Sequence, residues 1–140
     1  MPRHIVLGSL RRLLLLGLGL SGGFGLSACD RGRPDREELE NFSPGPVPVE
    51  FADEEKLFNR SCAGCHGQQA VGTAHGPPLV HRYYEPSHHA DIAFQRAVTF
   101  GVAPHHWNFG PMPKIDGVSE ADIHAITAYV RWLQRQAGIY

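Results

Sequence analysis

Cysteine is scarce in this sequence, and the few that occur do not make an even set. The 140 residues contain three cysteines, an odd number that excludes a framework made of disulfide bonds alone. So short a chain has room for one small domain, which excludes a multi-domain enzyme. Something other than disulfide bonds must therefore stabilise its small core.

Positive charge is also scarce once the N-terminus is set aside. Residues 1–28 carry three arginines and no acid, so the remainder, from Cys29 onwards, has ten basic and fourteen acidic side chains and a net charge of −4. The basic surface by which proteins bind nucleic acid is not expected on such a chain. We therefore predict no nucleic-acid partner.

Long hydrophobic runs are absent as well, and the nearest one is short. The apolar stretch Leu13–Leu20 follows Arg11 and Arg12 and leads into a run of small residues that ends at Ala28. The roughly 20 apolar residues of a membrane span are not reached. A basic, an apolar and a small-residue region in this order are typical of an export signal, which we predict over residues 1–28.

The end of this signal, Leu26-Ser27-Ala28-Cys29, resembles the lipobox of bacterial lipoproteins. The resemblance implies cleavage before Cys29 and attachment of two or three acyl chains to it, enough to hold a protein stably at a membrane. An ordinary signal followed by an incidental cysteine is the alternative. Asp30 resembles the residue that retains lipoproteins at the inner membrane of enteric bacteria. We therefore expect the protein on the periplasmic side of the bacterial inner membrane.

Residues 29–50 are charged at first and then rich in proline. No apolar period of a strand or a helix runs through them, which predicts an unpacked tether. The 21 residues after Cys29 have a coil dimension of roughly 25 Å. Such a tether would keep the domain that follows, at residues 51–140, close to the membrane.

The most specific motif is Cys62-Ala-Gly-Cys65-His66. Two thiols at this spacing can form thioethers with the two vinyl groups of one haem, while the adjacent imidazole binds its iron. A zinc site would need further ligands, and no second cysteine pair exists. A thioredoxin-like motif would need a longer strand and helix context. We therefore predict one covalent haem c, with Cys29 left for lipid and no disulfide.

Methionine is rarer still, with two in the chain, and this bears on the sixth ligand of the iron. After the signal is removed, the chain keeps one methionine, Met112, in Phe109-Gly-Pro-Met-Pro113. Its thioether is the leading candidate, because the flanking prolines stiffen the loop that must hold a weak sulfur ligand. His105 and His106 are the rivals. Ligation by two histidines would lower the reduction potential, whereas a methionine raises it.

Residues 51–138 resemble a small class I cytochrome c in further motifs. These are Leu57-Phe58, Gly76-Pro77-Pro78-Leu79, Gly110-Pro-Met-Pro113 and Ile126-Thr-Ala-Tyr129-Val130. The resemblance implies that the Pro77 carbonyl accepts a hydrogen bond from His66, which fixes the imidazole, and that Leu79 lies on the haem. It also implies that the N-terminal helix packs on the C-terminal one. Glu54 departs from the family pattern, which usually has glycine there for a close helix approach.

Helix signals agree with an all-α fold, and no alternating strand pattern is present. Asp53 is predicted to cap a helix that runs to about Asn59, and Ser87 a second helix that ends at Gly101. The segment Ser119–Asp122 forms a capping box for a third helix. Covalent haem would supply the apolar mass that so short a chain lacks.

Histidine, by contrast, is plentiful, with nine in the chain. The pairs His88-His89 and His105-His106, together with His75 and His81, can supply a second site for copper or zinc. Surface histidines with hydrogen bonds to loops or haem propionates are the alternative, and no acid-rich or cysteine-rich pattern supports a dedicated metal centre. Trp107 is predicted either to reach a haem propionate with its indole N–H or to pack beside the ring.

These patterns predict a membrane-tethered periplasmic electron carrier that is not an enzyme. Iron with two retained axial ligands leaves no open position for a substrate. Its expected partners are redox proteins, a dehydrogenase or a terminal oxidase, that dock weakly. The alternatives are a haem-based peroxidase or gas sensor with a labile sixth ligand, and a copper-binding lipoprotein.

Overall fold

The computed structural model describes residues 41–140, so the predicted signal, Cys29 and the first part of the predicted tether lie outside these residues. This part of the chain forms four α-helices: α1 (Ala52–Ser61), α2 (Ala63–His66), α3 (Asp91–Phe100) and α4 (Glu120–Gln136). It also forms three 3₁₀ helices, at Val49–Phe51, Gln68–Ala70 and Arg82–Tyr84. No strand occurs within residues 41–140 apart from an isolated bridge. The predicted all-α fold is confirmed.

Helix α1 begins earlier than the sequence signals predict. The 3₁₀ helix Val49–Phe51 leads directly into it, and Phe51 occupies the N-cap position without a side-chain cap. Asp53 therefore lies in the first turn, and the prediction that it caps the helix is wrong. The preceding turn explains the difference, because it already orients the chain, with the N–H of Phe51 bonded to Pro48 O at 2.9 Å. The Asp53 carboxylate still interacts favourably with the positive end of the helix dipole.

The cap predicted for the second long helix is also wrong. Helix α3 begins at Asp91, with Ala90 at its N-cap. The Ser87 hydroxyl instead donates to Glu85 Oε1 at 3.0 Å, within a turn that separates the serine from the helix. The predicted end is correct, because Gly101 follows the last helical residue with a φ of 75°, a conformation that glycine adopts without strain.

Helix α4 begins where the sequence predicts. The Ser119 hydroxyl accepts a hydrogen bond from the Asp122 N–H at 3.1 Å, and the Asp122 carboxylate accepts one from the Ser119 N–H at 3.1 Å. These reciprocal bonds confirm the capping box. The Ser119 hydroxyl also donates to the Asp122 carboxylate at 2.8 Å, and this bond, with the one from the Ser119 N–H, holds the pKa of the Asp122 carboxyl below its usual range.

The core lies where α1 crosses α4, and aromatic rings fill the crossing. Phe58 and Tyr129 are fully buried with ring centroids 5.6 Å apart, and Phe51 meets Trp132 at 5.8 Å. The packing of α1 on α4 agrees with the family resemblance.

Part of the predicted tether packs on this core. Phe42 and Val47 are half-buried and contact the buried cluster. The prediction that residues 29–50 remain unpacked is therefore wrong for this portion. Isolated apolar residues among prolines have no helix or strand period, so the sequence pattern contained no sign of the contact. No helix in residues 41–140 has the length and apolar character needed to cross a membrane.

Two polar residues of α4 fasten the segment that connects α2 to α3. Arg131 and Gln134 are only 7% and 1% exposed. The Arg131 guanidinium pairs with Asp91 Oδ1 at 2.8 Å and donates to Tyr84 O at 2.6 Å. The Gln134 amide donates to Leu79 O at 2.8 Å and to Tyr84 O at 3.0 Å. Buried donors therefore hold the backbone of the connecting segment against α4.

Candidate functional site

A partly open cavity of about 660 Å³ is lined by α2, α3, α4 and the loop that follows α3. Its volume lies in the usual range of sites for small molecules and cofactors. Phe94 and Val98 of α3 and Ile126 of α4 provide apolar parts of its wall. The residues that the sequence predicts at the haem all line it: Cys62, Cys65, His66, Pro77, Leu79 and Met112.

Helix α2 and its N-cap residue, Cys62, present the two thiols and the imidazole within little more than one turn. The N–H groups of Cys65 and His66 both donate to Cys62 O, at 3.2 and 3.0 Å. Residues three apart on a helix share a face, so both free thiols belong to the same wall of the cavity. Burial, with a smaller contribution from Cys65, raises the pKa of the Cys62 thiol to about 11.

The imidazole of His66 is oriented by the hydrogen bond that the family resemblance implies. His66 Nδ1 lies 2.9 Å from Pro77 O. A carbonyl only accepts, so Nδ1 carries the hydrogen and Nε2 keeps its lone pair for a metal. Burial lowers the pKa of His66, which favours the neutral form that binds a metal.

The loop that supplies Pro77 packs closely against α2. The Thr73 hydroxyl donates to Cys65 O at 2.6 Å. A Cβ atom at Gly76 would come within 2.9 Å of the same oxygen, so only glycine fits there. This close packing fixes the carbonyl of Pro77 relative to His66.

The loop after α3 holds Met112 in the cavity wall. Val102 and Met112 exchange two backbone hydrogen bonds, at 2.9 and 3.0 Å. The backbone of Gly101 lies against this pair, because a Cβ atom there would be 2.6 Å from Met112 O. Pro111 and Pro113 flank the methionine. Its backbone is thus fixed on both sides, and its half-buried side chain lines the cavity.

The rival ligands His105 and His106 line the same cavity, but their rings engage other groups. His105 Nδ1 donates to Ala103 O at 3.0 Å, and His105 Nε2 lies 3.4 Å from His89 Nε2. His106 Nε2 lies 3.2 Å from His88 Nε2. The Nε2 atoms of both rings therefore face other histidines at this side of the cavity.

Trp107 brings an unpaired hydrogen-bond donor to the cavity. Its indole N–H is buried without a hydrogen-bond partner among the described residues. Burial raises the pKa of Tyr84 to about 12, and the nearby Trp107 indole opposes part of this rise. The indole N–H nevertheless forms no hydrogen bond with the Tyr84 hydroxyl. A buried unpaired N–H costs about 1–3 kcal/mol. A haem propionate is an acceptor that would satisfy it, so the lining fits a haem.

A family model described as Cytochrome c matches residues 52–134. The chain belongs to the cytochrome c family. It therefore binds a covalent c-type haem, as predicted, and is a haem-binding electron carrier whose partners are redox proteins. Comparisons with curated proteins and with solved structures gave no match.

The cytochrome gathers four of its predicted metal-binding histidines and leaves two apart. His88 and His106 have ring centroids 5.1 Å apart, and those of His89 and His105 are 5.7 Å apart. His81 contacts aromatic rings and accepts a hydrogen bond from a backbone N–H at 3.2 Å. The exposed His75 is not part of the histidine group found within residues 41–140.

Arg131 and Gln134 of the cytochrome do not figure among the sequence-predicted site residues. They donate to the backbone carbonyls of Leu79 and Tyr84, two residues that line the haem cavity. A signal for them exists in the sequence, because Thr127, Arg131 and Gln134 recur at a spacing of four and three. They form a polar stripe beside the apolar face of α4.

Proposed function

We propose that this cytochrome is a periplasmic electron carrier, held at the membrane through lipid on Cys29, with His66 and Met112 as axial ligands of its iron. Cys62 and Cys65 would hold the haem by thioether bonds. The proposal rests on one arrangement above all. An imidazole oriented by Pro77 O and a methionine with a fixed backbone line the same cavity.

This arrangement suits transfer of electrons rather than catalysis. When bound, the haem iron gains and loses one electron. The chain's own residues keep the iron's surroundings unchanged during this step: Pro77 O holds the His66 ring, and backbone pairing with Val102 holds Met112. A thioether ligand and an apolar cavity both favour a high reduction potential. With both axial positions taken, no site is left for peroxide or a gas.

The axial ligands are tested by replacing Met112 with alanine. The oxidised wild type should show the near-infrared band that a methionine sulfur gives with ferric iron, and Met112→Ala should lose the band and have a lower potential. His105→Ala and His106→Ala are the matched controls and should keep the band. A wild type without it, or rapid binding of carbon monoxide by the reduced wild type, would contradict the proposal and favour the peroxidase or gas-sensor alternative.

The membrane tether is tested separately with Cys29→Ser. The wild type should sediment with membranes and incorporate labelled fatty acid, and the variant should do neither. Haem attachment serves as the control for export, because c-type haem is attached outside the bacterial inner membrane, so the variant should still carry haem. A variant that remains in the membrane fraction would show that Cys29 is not the anchor.

The net charge of the chain indicates the charge of the surface on which its redox partner docks. The chain from Cys29 onwards has a net charge of −4, so we infer a redox partner with a basic docking face. Such encounters are weak and brief. Their rate should fall as ionic strength rises, because salt screens the attraction.

A further inference from the structure

A cluster of imidazoles adjoins the haem cavity. His88, His89 and His106 each offer a ring nitrogen within 4.8 Å of the others. The Nε2 atom of His105 extends the group, 3.4 Å from that of His89. We call these four residues the histidine cluster. Three of them, His89, His105 and His106, also line the cavity.

The tautomers of two cluster members leave two lone pairs facing each other. His89 Nδ1 contacts Tyr83 O, and His105 Nδ1 lies 3.0 Å from Ala103 O. Because a carbonyl only accepts, each ring places its hydrogen on Nδ1 and leaves Nε2 as an acceptor in the neutral form. Two acceptors 3.4 Å apart repel each other, unless a positive charge lies between them.

The spacing in the cluster matches that of ligands around one metal ion. Zinc binds imidazole nitrogens at about 2.0–2.1 Å with tetrahedral angles, which separates ligand nitrogens by about 3.3 Å. The observed Nε2 separations are 3.2 Å for His88 and His106 and 3.4 Å for His89 and His105. The grouped nitrogens of His88, His89 and His106 all lie within 4.8 Å of one another, so three ligands for one ion are already gathered.

The protein also holds the cluster as metal ligands are usually held. Histidines that bind metals commonly donate their other ring N–H to a carbonyl, as His89 and His105 do. The backbone of His89 is fixed in turn, since its carbonyl accepts from the buried guanidinium of Arg131. Burial lowers the pKa values of His89 and His106, which favours neutral, metal-binding rings.

We propose that the histidine cluster binds one divalent transition metal ion, Zn²⁺ or Cu²⁺, beside the haem. Imidazole nitrogens suit these ions, whereas Mg²⁺ and Ca²⁺ prefer oxygen ligands. The site goes beyond electron transport by the haem and needs neither the lipid anchor nor a particular redox partner. It does require that His105 and His106 are not iron ligands, which the haem spectrum reports independently.

The test uses the haem-loaded protein after treatment with a chelator. Titration with Zn²⁺ should show one ion bound per chain, and Cu²⁺ should give an electron paramagnetic resonance signal split by at least three nitrogens. His88→Ala and His106→Ala should each weaken Zn²⁺ binding by at least about tenfold. His75→Ala is the matched control, an exposed histidine outside the cluster, and should bind as the wild type does.

Three results would overturn the site: no stoichiometric Zn²⁺ binding, a copper signal with a single nitrogen, or an equal loss of affinity in His75→Ala. If His106→Ala fails to fold, His88→Gln decides the question, because His88 is exposed and its replacement leaves the core intact. A wild type that lacks the near-infrared band, with a haem spectrum that changes in His106→Ala, would instead contradict methionine ligation. That outcome would overturn the metal site too, since it assigns His106 to the iron.

Discussion

The carbonyl oxygen of Met112 lies against the backbone of Gly101, in the space that a side chain at residue 101 would need. A Cβ atom at residue 101 would stand 2.6 Å from that oxygen, well inside van der Waals contact. The backbone of Gly101 also has a φ of 75°, which residues with a side chain rarely adopt. The place of the candidate sixth ligand therefore depends on the absence of a side chain in the turn that ends α3.

Replacing Gly101 with alanine should push the methionine loop outwards. We expect the Gly101→Ala protein to lose about 1–3 kcal/mol of unfolding free energy and to show a weaker methionine band in the oxidised spectrum. Denaturant unfolding and near-infrared absorption measure the two effects.

Gly117→Ala is the matched control for this change. Gly117 has a similar φ of 79°, but a Cβ atom there meets nothing within 4 Å. It should lower stability through backbone strain alone and leave the band intact. Equal loss of the band in both proteins would mean that the contact with Met112 O does not position the ligand.

Arg131→Gln should destabilise the protein more than its single ion pair suggests. The substitution removes the partner of Asp91 and also the donor to Tyr84 O and to His89 O. Tyr84 O keeps its bond from Gln134, whereas the His89 carbonyl loses its donor, so the expected loss is about 1–3 kcal/mol. Arg135→Gln changes an exposed arginine on the same helix and should shift the urea midpoint little. Similar midpoints for the two variants would contradict the fastening role of Arg131.

Ser119→Ala should weaken the start of α4 by about 1 kcal/mol, because a cap is lost. The Ser119 bonds lower the pKa of Asp122 in the folded protein. Their contribution is therefore present above the usual aspartate pKa and is lost as pH falls through the folded-state pKa. The difference from wild type in thermal unfolding should shrink in acid. Ser43→Ala, which changes an exposed serine outside the helices, should have no such pH-dependent effect.

Trp107→Phe should lower the reduction potential of the haem. The indole N–H has no partner among the described residues, so we expect it to bond a propionate and offset part of its negative charge. Loss of the bond leaves that charge uncompensated, and negative charge near iron favours the ferric state. Redox titration measures the shift, and an unchanged potential would place the propionates elsewhere.

The sequence predicts the parts of this molecule that depend on local spacing. The Ser119–Asp122 capping box and the end of α3 at Gly101 depend on neighbours within a few residues, and both occur as predicted. The haem motif is equally local, since Cys62–His66 lies within a little more than one helical turn. The residues of this motif are enough to predict covalent attachment of haem.

Local sequence patterns do not predict features that depend on contacts between distant residues. Asp53 and Ser87 are good capping residues, yet the turns that precede their helices place them elsewhere. The burial of Arg131 depends on carbonyls more than forty residues away, and no local pattern reveals these. The sequence predicts which histidines are candidates for a second metal, but only the fold separates the clustered His106 from the exposed His75.

The packing of Phe42 and Val47 on the core shortens the distance that the folded domain can extend from a membrane anchor. If lipid is attached at Cys29, twelve residues remain between the anchor and Phe42, a length that spans at most roughly 45 Å when fully extended. The haem would then be confined to a thin layer above the bilayer. In that layer its effective concentration towards membrane-bound enzymes is high, while a soluble partner beyond the layer would have to diffuse to it.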